Sequence, residues 1–299
     1  MTATRRDREI GLALGFLGVL GFSFSLPATK VAVADLDPWF VAFGRAAVAA
    51  VLAAIVLAAT RARRPTAAQW RALAVVSAGV IVGFPLFTSL GLQHAEAAHG
   101  AVVVAVLPAA TAIAAVLRAG EHPSPAFWAA ALAGLAVVVA FALSGASGGL
   151  SAADGWFAAA VVACAFGYAE GGVLARDLGG AQTISWALVA TAPVSFAIAA
   201  VTWTDPGQVS SDAWLCFAYV SVVSMFLGFF AWYGGLARGG VAHVSQVQLV
   251  QPLLTLLWSG LVLGEHVGAW TLIAAVAVLA CVAITQRARV VADPVAPEP

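Results

Sequence analysis

Polar and apolar positions along this chain fall into a block pattern. Ten stretches are almost wholly apolar, at roughly 10–31, 38–60, 70–93, 97–118, 124–144, 153–175, 183–203, 212–236, 241–263 and 267–286. A helix that crosses the hydrocarbon of a bilayer needs about 20 such residues, whereas a spanning strand is about ten residues long and alternates in polarity. The pattern therefore predicts an all-α polytopic membrane protein with ten transmembrane helices. The connections are short, and several carry turn chemistry, as in SGASGGLSAAD and TDPGQVSSD.

Charge then orients the helices. With the N-terminus in the cytoplasm, Arg5, Arg6, Arg8, Arg61, Arg63, Arg64, Arg71, Arg118, Arg176, Arg238, Arg287 and Arg289 all fall on the inner side. Outer loops carry Asp35, Asp37, Asp154, Asp205 and Asp212 instead. This positive-inside arrangement predicts cytoplasmic N- and C-termini and a multi-pass protein of the cell membrane. The basic start MTATRRDREI leads into an apolar run like the nine that follow, so it is read as a retained first helix rather than a cleaved signal.

Composition agrees. Hydrophobic residues make up 62% of the 299 and charged ones only 9%, far from the roughly 25% charged residues of a soluble domain. A net charge of zero gives no footprint for a nucleic acid. Cys164, Cys216 and Cys281 are scattered through apolar runs without metal-ligand spacing, so they are expected to be structural thiols. No phosphate-binding loop of an ATPase is present. No metal and no cofactor are expected.

The tripeptide GEH occurs twice, at 120–122 and 264–266. Shifting the chain by 144 residues lays 91–122 over 235–266 with twelve of 32 positions identical, among them His99/His243, Pro108/Pro252 and Glu121/Glu265. A weaker echo at offset 146 places GFSFSLPATK (21–30) over GYAEGGVLAR (167–176). Each repeat thus holds five helices. Five is odd, so the second repeat enters the membrane from the opposite face, and the repeats are inverted. The expected organisation is a cytoplasmic tail at 1–9, a first repeat at 10–147, a second at 148–287 and a disordered cytoplasmic tail at 288–299. Inverted repeats with interrupted helices are a recurring design of secondary transporters. Pro108 and Pro252 sit near the middle of matching helices, where a proline removes a backbone hydrogen bond and kinks the helix. Such a kink lines a cavity or serves packing alone.

With these residues in view, the chain resembles the drug/metabolite transporter superfamily, specifically a bacterial EamA-type permease. The resemblance covers about 8–287 and rests on P-x12-GEH (108–122 and 252–266), FSLPATK, DPWFVAFGR and GFFAWYGGLARGGVAHVSQVQLVQP (228–252). It implies a 5+5 fold with a central cavity lined mainly by helices 1, 3, 4, 6, 8 and 9. It also implies transport of small organic solutes, often export of amino acids or related metabolites. Where family members often have a tryptophan on helix 1, this chain has Gly21-Phe22.

Several side chains are candidates for the cavity. Glu170, well inside helix 6, is read either as a proton-coupling or amine-binding group or as a carboxylate near the cytoplasmic mouth paired with Arg176 or Arg238. Arg45, about 10 Å into helix 2, is read as a partner for an anionic group or a gate acid, or as a structural charge beside a carbonyl or Asp35. Lys30 lies at the outer end of helix 1 as a gating or snorkelling charge. Ser245, Gln248, Gln251, Pro252 and Thr255 share one face of helix 9, against apolar Val104 and Leu107 on helix 4. Phe22, Ser25, Pro108, Tyr168, Trp232 and Tyr233 complete the candidate walls, the rings by stacking on a substrate. Glu121, His122, Glu265 and His266 lie at helix ends, where each glutamate can cap the following helix. His99 and His243 start helices. The leading expectation is a secondary transporter of a small-molecule solute, working by alternating access and driven by protons or the solute gradient. An intramembrane enzyme and a non-transporting receptor are the other readings. Oligomeric state is left open, a monomer included.

Overall fold

The computed structural model describes residues 5–119, 124–144, 150–203, 205, 207, 209–239 and 244–288. Among them there is no strand. Ten apolar helical segments follow one another: α1 (Glu9–Asp35), α2 (Pro38–Ala59), α3 (Ala67–Leu92), α4 (Ala97–Arg118), α5 (Pro125–Leu143), α6 (Ala152–Ala175), α7 (Gly180–Val201), α8 (Ser211–Gly235), α9 (Val247–Leu263) and α10 (Ala269–Thr285). The first eight are long and apolar enough to cross a membrane; α9 and α10 are shorter apolar segments among the described residues, and the helix of α10 continues to Ala288. α9 opens in a 3-10 turn at Ser245–Val250.

Helix starts follow ordinary capping chemistry. Asp37 accepts from the Trp39 and Phe40 amides ahead of α2, with Pro38 in the first turn. Thr66 with Gln69, and Ser151 with Asp154, form capping boxes for α3 and α6.

The main helix contacts run between the halves. α1 packs on α8, α2 on α7, α3 on α6, α4 on α9, and α5 on α10. Close approach needs small residues. A Cβ on Gly18 of α1 would meet the Trp232 amide nitrogen at 2.9 Å and the Gly228 carbonyl oxygen at 3.0 Å, so glycine lets the two backbones touch. Large apolar side chains such as Leu117, Leu132, Leu215 and Ile273 are exposed on the outside of the bundle, as a lipid-facing surface requires. Trp39, Trp70, Trp128 and Trp270, all near helix ends, are also exposed, as amphipathic rings at the two interfaces would be.

Irregular turns recur at matching places. α3 carries a π-helical stretch at Ser77–Gly83 and α8 one at Val220–Leu227. Each closes with an amide reaching five residues back, Phe84 to Gly79 and Gly228 to Val223. α4 breaks at 105–106 and resumes as Leu107–Ala119, while the 3-10 turn gives way to Gln251–Leu263. The closing amides of the two π-helical stretches, and the restarts at Leu107 and Gln251, stand 144 residues apart. Pro108 and Pro252 take away the amides that would have served the carbonyls of Val104 and Gln248. The Gln248 carbonyl is served instead by the amide of Gln251. α1 is interrupted at Phe24. There Pro27 leaves the Ser23 carbonyl without its helical donor, and the Thr255 hydroxyl of α9 supplies one at 2.7 Å.

Candidate functional site

The kinks surround a hollow between the two halves. Its larger lobe leaves about 50 Å³ open to the centre of a water-sized sphere and its smaller about 30 Å³. Leu26, Val104, Leu107, Gln248 and Gln251 line both lobes. The larger lobe adds Phe22 and Ser25 from α1, Arg45 from α2, Val80, Phe84 and Pro85 from α3, Cys164 and Tyr168 from α6, and Ser224, Met225 and Phe229 from α8. The smaller adds Pro108, Pro252 and Thr255. Small-molecule sites are mostly apolar, with a few placed polar groups, and this lining has that character.

The charged wall is compact. Arg45 is 5% exposed, and its Nη2 donates to the Ser224 hydroxyl at 2.9 Å. That hydroxyl is 2.6 Å from the Ser25 hydroxyl. The Arg45 Nε is buried without a partner. Arg45 is not paired with Asp35, whose carboxylate accepts from the Ser210 amide at 3.0 Å. The aromatic wall is continuous. Phe22 and Phe229 rings lie 4.9 Å apart between centroids, and Tyr168 meets Phe229 edge-on at 6.4 Å. On the α9 side stand the two glutamines, and the Gln251 Oε1 is buried without a partner.

The structure thus brings together Phe22, Ser25, Arg45, Pro108, Tyr168, Gln248, Gln251 and Pro252. Three sequence candidates for the walls lie elsewhere, among them Tyr233 of α8, which packs against Gly180 of α7 with its ring 5.9 Å from that of Phe229. Glu170 lines neither lobe and forms an ion pair with Arg118, whose Nη2 is 2.8 Å from Oε1. The sequence reading named Arg176 or Arg238 for this role, because both are near in sequence or on the same side; folding sets the end of α4 against α6 instead. Trp232 also lines neither lobe. It is buried where α8 crosses Gly18 of α1, and its bulk serves that packing. Thr255 lines the smaller lobe, yet its hydroxyl is spent on the Ser23 carbonyl. Ser224 was missed by the sequence reading. Its signal was present: Ser221 and Ser224 are isolated hydroxyls three apart in the apolar run VSVVSMFLG. α2 joins the walls through Arg45, beyond the six helices that the resemblance implies.

Around the mouth, Lys30 Nζ donates to the carbonyls of Leu92 at 2.7 Å and Ala95 at 2.9 Å, a cation at the end of α3. His99 and Asp154 meet at 2.6 Å. Glu265 corrects the capping expectation. Its carboxylate accepts from the amides of Ala97 and Ala98, each at 2.8 Å, and so caps α4 of the other half rather than the helix that follows it. Gly264 explains the aim. It takes a left-handed turn (φ 65°), the Glu265 amide returns to the Ser259 carbonyl, and the chain reverses. His266 is exposed. Glu121, His122 and His243 fall outside the described residues.

Comparison with known proteins agrees with this architecture. The model of the EamA-like transporter family matches residues 9–143 and again 151–286. A protein of Bacillus subtilis (strain 168) described as "Uncharacterized transporter YdeK" is 47% identical over 278 residues, covering 91% of this chain and 96% of that protein. A solved structure described only as "Crystal structure of protein" superimposes with a TM-score of 0.63 at 22% identity, over 94% of this chain and 98% of its own, which speaks to the fold alone. Family match, relative and lipid-facing helices converge: the chain belongs to the EamA-like transporter family of the drug/metabolite transporter superfamily, a multi-pass membrane protein, which in bacteria places it in the cell membrane.

Proposed function

We propose that this protein is a secondary transporter that moves small organic solutes across the cytoplasmic membrane by alternating access, as an exporter of metabolites of the amino-acid size class. The observation that carries the reading is the hollow between the halves, lined in part by residues of irregular turns that recur about 144 residues apart. Paired hinges of opposite orientation are what an exchange of inward and outward openings requires. All ten segments are taken as spans, with both termini cytoplasmic and repeats at 10–147 and 148–287; the two separate family matches support that division. Transport is driven by protons or by the solute gradient, and the protein is not an enzyme: a guanidinium, hydroxyls, amides and rings around one hollow make a binding set.

In this orientation Lys30, Glu265, Asp35 and Asp154 fasten the external end, so the conformation is taken as closed to the outside. Glu170 is assigned to the cytoplasmic mouth. The test is an untargeted comparison of small molecules inside cells and in their medium, with and without the protein expressed. Export predicts a compound that accumulates outside and falls inside. Depletion from the medium would reverse the direction, and no change in any solute would overturn the transport reading.

A further inference from the structure

We propose that the hollow takes a small organic monoanion, a carboxylate carried on an apolar body, with Arg45 as its charge partner. The proposal deepens the transport reading and rests on it for the solute's passage.

Arg45 is the starting point. It lies two turns into α2, and among the described residues no carboxylate is within ion-pair distance of it. A buried cation without a counter-ion is expensive in a membrane, and such charges are kept facing cavities and ligands. A guanidinium offers five N–H donors in a flat fork. Here one is given to Ser224, and Nε, which borders no other acceptor, is left over. A carboxylate fits such a fork with two parallel bonds. The Ser25–Ser224 hydroxyl pair stands beside it, and either oxygen can be the donor, so Ser25 can turn its proton toward the anion without leaving its place.

The rest of the walls define the body. Phe22, Phe84, Tyr168 and Phe229 present rings to the same lobe, which suits an aromatic or branched hydrocarbon. Across from them the polar groups are the uncharged amides of Gln248 and Gln251. The unpartnered Gln251 Oε1 accommodates a hydroxyl or amide N–H on the solute. No Asp or Glu is among the residues that line either lobe. An ammonium group would therefore be desolvated without a counter-charge. The lining selects a monocarboxylate over the amino acid of the same skeleton.

The experiment measures equilibrium binding of radiolabelled phenylacetate and 4-methylpentanoate to the full chain in nanodiscs. Phenylacetamide, phenethylamine and phenylalanine are the unlabelled competitors. Both acids are expected to bind. The amide and the amine should compete at least about tenfold more weakly than unlabelled acid, since a charge-assisted bond to a buried group is at stake. Phenylalanine should also be weaker than phenylacetate. Arg45→Met should abolish acid binding and Arg45→Lys should retain part of it. Ser25→Ala, which leaves the guanidinium in place, should weaken the acids several-fold and leave the amide unchanged, so the proposal stays testable if Arg45→Met does not fold. Failure of both acids to bind, an amide or amine as strong as the acid, or acid binding indifferent to both Ser25→Ala and the Arg45 variants would overturn it. Vesicle flux of the same acids separates the two readings: binding without flux upholds the anion site and sinks transport, whereas flux of an amine or amide without acid binding does the reverse.

Discussion

Removing the Glu265 carboxylate should loosen the start of α4 without unfolding the bundle. Ala97 and Ala98 open that helix, so their amides have no intrahelical acceptor. The adjacent Glu96 makes no side-chain cap. Their protection comes from Glu265, at 2.8 Å to each. A hydrogen bond to a charged group contributes about 1.5–3 kcal/mol. Glu265 is half-buried, which takes each bond toward the lower end of that range. The pair then holds the helix start by about 2–3 kcal/mol, and its loss raises the open fraction about 30- to 150-fold. Glu265→Gln keeps one acceptor and should give about fivefold. The assay is hydrogen–deuterium exchange of peptides across 93–104 in detergent or nanodiscs, with α5 peptides as the internal reference. Exchange at 97 and 98 that does not change in Glu265→Ala would refute the cap. Uniform acceleration in all helices would show instead that the substitution destabilises the whole fold.

Packing predictions are equally direct. Gly167→Ala places a Cβ 3.1 Å from the Val80 amide nitrogen and 3.2 Å from the Gly79 Cα, so the melting temperature should fall, by about 1–3 kcal/mol of stability. Gly172→Ala on the same helix meets nothing within 4 Å and should leave the melting temperature unchanged or raised; equal losses for both would remove the close-approach argument. Thr255→Val preserves shape but strands the Ser23 carbonyl at Pro27, at about 1–2 kcal/mol, and Thr255→Ser should restore most of it in the same thermal assay. Glu170→Gln should leave phenylacetate affinity unchanged, because the carboxylate lies outside both lobes; a tenfold loss would place Glu170 in the solute site.

What the sequence made legible was what local pattern encodes. Apolar length gave the helical segments. The aligned His, Pro, Gly and Glu residues gave the repeat, and Pro108 and Pro252 marked the kinks. The π-helical stretches were silent, since nothing in SAGVIVG or VSVVSMFL departs from an ordinary apolar helix. Side-chain destinations depended on range. Glutamines three apart on one face arrived at the hollow together. Glu170 found Arg118, 52 residues away, and Glu265 found amides more than 160 residues away. A reading that assigns a carboxylate to its neighbours in sequence cannot supply such partners, because tertiary packing makes them.

The repeat also explains why the charged wall is one-sided. Much of the backbone obeys the two-fold relation, with the π-helical stretches of α3 and α8 and the helix restarts at Leu107 and Gln251 in register at 144 residues, while the break in α1 at Phe24 has no counterpart in the continuous α6. The side chains do not. α2 and α7 begin and end 142 residues apart, which lays Arg45 over Ala187; the residue 144 before Ser224 is Val80, and Ser25 corresponds to Gly171 at the helix 1 offset of 146. Every member of the Arg45–Ser224–Ser25 cluster therefore has an apolar or side-chain-free counterpart. On the alternating-access proposal, symmetric hinges let either face open, and that demand falls on the backbone, so both halves keep it. A single solute needs only one place for its charged end, and a second buried guanidinium would add a desolvation cost with nothing to neutralise it. In the mechanism proposed above, the symmetry of the fold serves the motion, and its breaking at Arg45 serves recognition.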